Sequence, residues 1–279
     1  VALLIVLAET LIKNSIPHPP ITLLFTVREE SGLHGARELN PADLNGPAMC
    51  INVDGQLAAE LIIGAVGQEN WEVEITGRAS HAGVAPDKGI SATMIGAIAL
   101  AEARKNGWFG KVVRGEEFGS SNIGIFGGKN GKPAGDATNV VTDYAFLKGE
   151  ARSPELTFAA QIVDGYEAAF AKAGAEVTDH QGETGEVVFR RTVSYPPFRL
   201  AEDSPVVKRA QKALGILGIE PVMLFSNGGL DANWLDKAGI PTITIGAGQA
   251  EIHTIKEFVR LDEYEKGCRL GILMAMLDD

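Results

Sequence analysis

Glu29 and Glu30 are adjacent carboxylates that close an apolar, β-branched run at residues 21–27. Asp54 follows a second such run at 49–53, and His253 follows a third at 241–246. A Gly-rich turn, Ser226-Asn-Gly-Gly-Leu-Asp231, follows a fourth at 222–225. Reactive residues just past short apolar strands are expected where an open α/β sheet gathers its ligands, outside the carboxyl ends of the strands. Two neighbouring carboxylates project in different directions, so one can bind a metal while the other takes a proton from water. Zinc lowers the pKa of bound water to about 7, within reach of a carboxylate base. The chemistry this set predicts is metal-assisted hydrolysis, with an incomplete ligand set. Each residue also has a plainer reading: a solvated Glu-Glu pair, an Asp-Gly turn at Asp54, a structural histidine at 253.

Further residues sit where a substrate could meet them. His81, in Ser-His-Ala-Gly at the end of a strand-like run, could present an imidazole or simply cap the following turn. Asn139 and Arg152 lie at the ends of other strand-like runs. Arginine suits bidentate capture of a carboxylate, and equally an ordinary surface ion pair. Gly228 and Gly229 let backbone N–H groups approach a ligand closely, or form a tight turn before a helix with Asp231 near its start.

The elements that must hold these residues follow from periodicity. Residues 1–14 read as a buried helix, apolar on all sides over 1–8, and 21–27 and 49–53 as strands covered on both faces. A short helix is expected within 32–39. From residue 71 the pattern changes to alternation, the mark of a half-exposed antiparallel strand. Helices near 90–106 and 154–173 and strands near 122–126, 140–151 and 186–192 then make a β-α-β-β-α-β order, that of a ferredoxin-like domain. Past residue 193, helices at 205–217, 231–238 and 261–277 alternate with strands at 222–225 and 242–245. The reading is a discontinuous α/β domain, 1–69 plus 193–279, interrupted by an α+β domain at 70–192.

Composition narrows the partners. A net charge of −11 disfavours nucleic acid and anionic membranes, which need a basic surface. The apolar opening is far shorter than the ~20 residues of a membrane span and lacks the basic start of a signal peptide. Two cysteines in apolar runs suit a reducing cytoplasm. A start without Met, inside an apolar helix, is expected of a piece of a longer protein.

Four motifs, Phe25-Thr-Val-Arg-Glu-Glu-Ser-Gly32, Gly77-Arg-Ala-Ser-His-Ala-Gly83, Asn227-Gly-Gly-Leu-Asp-Ala-Asn233 and Ile252-His-Thr254, resemble those of M20 metallopeptidases, in particular the peptidase T-like (tripeptide aminopeptidase-like) branch. The resemblance implies a zinc-exopeptidase-like catalytic domain binding two zinc ions, or cobalt or manganese in their place. It implies an inserted lid that also forms a homodimer, and short peptides as substrates. It makes Glu29 the general base and Glu30, Asp54 and His253 metal ligands. His81 would bind substrate or steady the oxyanion, often across the dimer interface, with Asn139 and Arg152 contacting substrate. The same family also supplies a His-x-Asp motif and a bridging Asp upstream. None of the five histidines here, His18, His34, His81, His180 and His253, opens a His-x-Asp. Arg28 stands where relatives are often acidic or neutral. The expectation is a zinc-dependent exopeptidase whose present chain is inactive alone. The alternatives are an N-acyl amino acid deacylase or carboxypeptidase of the same family, or a non-catalytic truncated fragment that still dimerises.

Overall fold

The computed structural model describes residues 1–135 and 137–276. In chain order the elements begin with α1 (Ala2–Lys13), α2 (His34–Arg37), β1 (Cys50–Gly55) and β2 (Glu60–Ala65). Next come β3 (Gly67–Thr76), α3 (Ala92–Lys105), β4 (Gly110–Arg114), β5 (Glu117–Gly127), β6 (Tyr144–Ser153), α4 (Leu156–Glu176) and β7 (Glu186–Tyr195). The chain then runs through β8 (Phe198–Arg199), α5 (Pro205–Ile216), β9 (Val222–Ser226), α6 (Asp231–Lys237), β10 (Thr242–Gly246), β11 (Gln249–Ala250), β12 (Phe258–Val259) and α7 (Leu261–Met276). Two compact units result: Val1–Val66 with Tyr195–Asp279, and Gly67–Ser194.

The first unit is built on a mixed sheet of order β1-β10-β2-β8, with β9 also pairing β2. The strand β10, Thr-Ile-Thr-Ile-Gly, is buried at every position; its two threonine hydroxyls are satisfied, Thr242 by Ile240 O and Thr244 by Asn52. Its Ile243 and Ile245 pack with Leu61 of β2, Val206, Val207 and Leu214 of α5, and Leu270 and Met274 of α7. Burial pushes the thiol of Cys50 up to about 11, so it stays protonated and unreactive.

Two expectations for this unit fail. Helix α1 is not buried all round: Leu3, Leu7 and Leu11, four residues apart, form its one buried stripe, while Ile5, Val6 and Ile12 face solvent. Helical geometry puts i and i+4 on one face, and only that face meets α7 through Leu7, Leu11 and Ala275. Residues 21–27 are extended but form no strand, and Ile21, Phe25 and Val27 are exposed. A strand exists only through its ladder, and among the described residues nothing pairs with this run. Conversely β2, unmarked by any clear alternation, is a strand because it has partners on both edges. Among the described residues no helix is long and apolar enough to cross a membrane.

The second unit has the sheet order β4-β5-β6-β3-β7. Strands β3 and β6 pair along their whole length, from Gly67 opposite Ser153 to Thr76 opposite Tyr144. Alternation along β3 turns Trp71, Val73 and Ile75 inward onto Phe158, Ile162, Tyr166 and Phe170 of α4 and Ile95 of α3. The strand-helix order is β-α-β-β-α-β with one addition, the edge strand β4, which hairpins onto β5.

Candidate active site

The turn that carries Glu29 and Glu30 is knitted by backbone hydrogen bonds. Gly32 N and Leu33 N donate to Glu29 O, and Gly35 N donates to Val27 O at 2.9 Å. A Cβ on Gly35 would lie 2.6 Å from Val27 N, so only glycine permits that closure. Arg28, immediately before the carboxylates, holds a φ of 58°, in the left-handed region that non-glycine residues avoid. The turn is therefore held in one shape by its neighbours, and it leaves Glu29 half-buried and Glu30 exposed.

Asp54 lies at the carboxyl end of β1, which runs parallel to β10. From the carboxyl end of β10 the chain forms the small β11–β12 hairpin, whose connection carries His253. His253 also has a left-handed φ, 62°, and its backbone N donates to Glu257 Oε2 at 3.1 Å. Its Nε2 lies 2.9 Å from Glu30 Oε2. Gln249 Nε2 donates to Asp54 Oδ1 over a long 3.5 Å. Backbone strain on both sides of one carboxylate–imidazole contact is the kind that surrounding structure must hold in place.

The Gly-rich turn does not leave the sheet where the sequence suggests. Strand β9 is parallel to β2 and β2 is antiparallel to β10, so β9 runs against β1 and β10. Its carboxyl end is thus at the other end of the sheet. There Gly228 N donates to Ser226 Oγ at 3.1 Å, and a Cβ on Gly229 would meet the Tyr195 ring at 2.4 Å. Both glycines serve the turn's own packing. What the turn delivers is Asp231, which opens α6. Its carboxyl is 6% exposed; Oδ2 accepts from Thr26 Oγ1, and Oδ1 is buried with no hydrogen-bond partner. In the sequence Asp231 reads as a helix-start residue; the signal of a further role is its place inside the Asn227-Gly-Gly-Leu-Asp-Ala-Asn233 motif.

These groups form one electrostatic unit. Burial, then the charges of Asp54, Glu30 and Asp231, push the Glu29 carboxyl from about 4.5 up to about 7, with His253 pulling the other way. Burial likewise raises Asp54, with Glu30 and Asp231 adding to it against the Gln249 hydrogen bond. Burial raises Asp231 against the Thr26 bond. Crowded carboxylates that resist ionisation are a cation-seeking arrangement. They also fix the sign of a pH effect. A raised carboxyl pKa means the fold binds more protons than the unfolded chain between the two values. Metal-free protein will therefore lose stability as pH rises from about 4.5 to about 7. Melting temperature against pH should show this decline, and Glu29→Gln should flatten it. A midpoint that climbs through that window would contradict the assignment.

In the second unit, His81 and Asn139 are neighbours: His81 bridges Val140, and Ala82 N donates to Asn139 O at 2.9 Å. His81 Nδ1 accepts from Gly83 N and Val84 N at 3.2 Å each, which leaves the proton on Nε2. The imidazole thus caps its turn and still offers an exposed N–H donor. Arg152, on β6, holds Glu150 with two hydrogen bonds, Nε to Oε1 at 2.9 Å and Nη2 to Oε2 at 3.0 Å.

Residues 1–276 match the pattern of Peptidase family M20/M25/M40. The chain belongs to the M20 peptidase family, on its peptidase T-like side. The Bacillus subtilis protein YqjE, itself uncharacterised, is 33% identical over 95% of this chain and 66% of its own length. An aminopeptidase PepT from Bacillus cereus superposes with a TM-score of 0.82 at 32% identity, covering 99% of this chain and 69% of that one. A tripeptidase from Staphylococcus aureus gives a TM-score of 0.86 at 29% identity, covering 99% and 68%. The M20 chain spans 66% of YqjE and 60–63% of peptidase T relatives.

The donor types in this M20 site suit a divalent metal: carboxylates from three separate segments, an imidazole, and a buried carboxylate oxygen without a partner. Their number does not. Among the described residues no three His, Cys, Asp or Glu side chains stand close enough to hold one ion. Glu30 and His253 make the single close donor pair, and Asp54 and Glu29 stand near them without joining it.

Proposed function

We propose that the complete protein is a metal-dependent exopeptidase, an aminopeptidase or tripeptidase of short peptides, and that this chain does not hydrolyse them by itself. The observation that carries this reading is the Glu29 turn: a half-buried carboxyl titrating near 7 beside Glu30, Asp54, Asp231 and His253. A group poised near the working pH is suited to take a proton and return it. Glu29 fills that role, receiving the proton of attacking water and passing it to the leaving amine. Glu30, Asp54 and His253 would contribute to holding a divalent ion, zinc, cobalt or manganese, together with further donors, and such an ion would supply Lewis acidity to the carbonyl and to water. In the second unit, His81 Nε2–H is the donor that meets the developing oxyanion, and Asn139 and Arg152 contact the peptide. Residues 70–192 act as the lid and join two copies of the protein, a role favoured by Val113 and Phe118 lying exposed on the outermost strand pair. The compartment is the cytoplasm.

The inactivity expected of this chain by itself rests on the family's His-x-Asp motif, which none of its five histidines forms. Elemental analysis after zinc loading and removal of excess should find less than one zinc per chain. Close to two would mean that other residues complete the site, and the inactive reading falls. Tripeptides with a free amine and N-acylated amino acids present opposite ends to the enzyme, so assaying the full-length protein on both separates a tripeptidase from a deacylase.

A further inference from the structure

The chain passes between its two units twice, after Val66 and before Tyr195. Both crossings are fastened to one short stretch, residues 226–233. Val66 N donates to Ser226 O at 3.0 Å. Asn233 Nδ2 donates to Val66 O at 3.1 Å and to Pro196 O at 2.7 Å, so a single amide grips the roots of both crossings. Its Oδ1 accepts from Leu230 N at 2.8 Å, closing the start of α6 from the third helical position. Asn233 is fully buried at 0% exposure, and its bonds satisfy buried groups at Leu230 and Val66 and a half-buried carbonyl at Pro196. The Tyr195 ring lies where a Cβ of Gly229 would be, and Ser226 Oγ staples Gly228 from both its N–H and its carbonyl.

The same stretch delivers Asp231, two residues before Asn233, to the carboxylate cluster. Asp231 Oδ2 accepts from Thr26 Oγ1 at 2.5 Å, and Thr26 begins the turn that presents Glu29. A continuous path of hydrogen bonds and one helical turn therefore runs from both crossings, through Asn233 and Asp231, to Thr26 and the Glu29 turn. We propose that Asn233 is a positioning residue that locks the two crossings and the carboxylate cluster into one rigid piece, so that the state of the crossings sets the placement of Glu29. It touches neither substrate nor metal. The proposal rests on reading the carboxylate cluster as the reaction centre, but its physical content, the coupling, can be measured without activity.

Hydrogen exchange on the 279-residue chain tests it. Asn233→Ala removes three buried hydrogen bonds. Backbone amides of residues 62–68, 194–199 and 24–32 should all exchange at least about ten-fold faster, the factor that roughly 1.4 kcal/mol of lost protection gives. Exchange that quickens at the crossings while 24–32 keeps its native rate would overturn the proposal and leave Asn233 a local bracket. Exchange unchanged everywhere would overturn it as well. If Asn233→Ala lacks a native circular dichroism spectrum, Asn233→Ser, which keeps one acceptor and one donor, takes its place. In the full-length protein the same variant should lower kcat for a tripeptide about ten-fold and leave KM near its original value, because the fault lies in Glu29 placement and not in substrate contact. Absence of peptidase activity in the unaltered full-length protein would defeat the exopeptidase reading, while the exchange result would still decide the coupling.

Discussion

On the proposed exopeptidase reading, Glu29→Gln in the full-length protein should lower kcat for a tripeptide by about 10²- to 10⁴-fold, the usual contribution of a positioned general acid–base group. Gln keeps the shape of Glu, so the turn closed by Gly32, Leu33 and Gly35 remains and the neighbouring Glu30 stays where it is. What is lost is a group able to accept and return a proton. KM should change little, since Glu29 acts on the reacting proton and not on the rest of the peptide. Steady-state kinetics with a free-amine tripeptide, with metal content measured in parallel, is the check. Activity above a tenth of the unaltered enzyme at equal metal content would remove Glu29 from the chemistry. Removing a carboxyl that the fold holds up to about 7 also relieves repulsion from Asp54, Glu30 and Asp231. The variant should therefore be no less stable than the parent at neutral pH, which separates a chemical fault from a folding one.

The second large effect is on stability. Trp71→Ala should destabilise the second unit by about 3–5 kcal/mol, the range for deleting a large aromatic from a packed core. Trp71 is 1% exposed and stacks on Tyr166 and Phe189 at centroid distances of 4.8 and 5.6 Å, with Phe170 tilted against it at 5.8 Å. A Cβ on Gly149, directly opposite on β6, would fall 2.3 Å from the indole, so the backbone itself is shaped around this ring. The indole Nε1 is buried without a hydrogen-bond partner. Trp71→Phe gives up ring area but also removes that unpaired N–H, and should cost less, about 1.5 kcal/mol or below. Denaturant midpoints of the second unit's transition for both variants test this. Equal losses for Ala and Phe would mean that the ring's volume is not what the core requires.

Much of the framework can be read from periodicity. Alternation in 71–78 predicts β3 because a half-buried strand must put Trp71, Val73 and Ile75 on one face. The β-branched run at 242–245 predicts β10 because such residues suit a strand covered on both faces, where the small threonine hydroxyls can still be satisfied. Where periodicity misleads, pairing or packing is responsible. Residues 21–27 carry the composition of a buried strand, yet composition cannot provide the neighbour whose N–H and C=O groups complete a ladder. Residues 1–8 look apolar all round, yet only the stripe through Leu3, Leu7 and Leu11 finds a surface to pack on.

The candidate site divides along the same line. The sequence alone determined which chemistry is available: carboxylates at 29, 30 and 54 and an imidazole at 253, each after an apolar run, in motifs of the M20 family. The same 279 residues contain no His-x-Asp, as the five histidines show directly. Only the tertiary structure decided the direction of β9, and with it the course of the Gly-rich turn, because strand polarity depends on which neighbours a strand pairs with. Only it showed Asp231 joining the cluster and Asn233 gripping both crossings. Those roles come from burial and from partners 205, 167 and 37 positions away in the chain, separations that local patterns of residue type do not record.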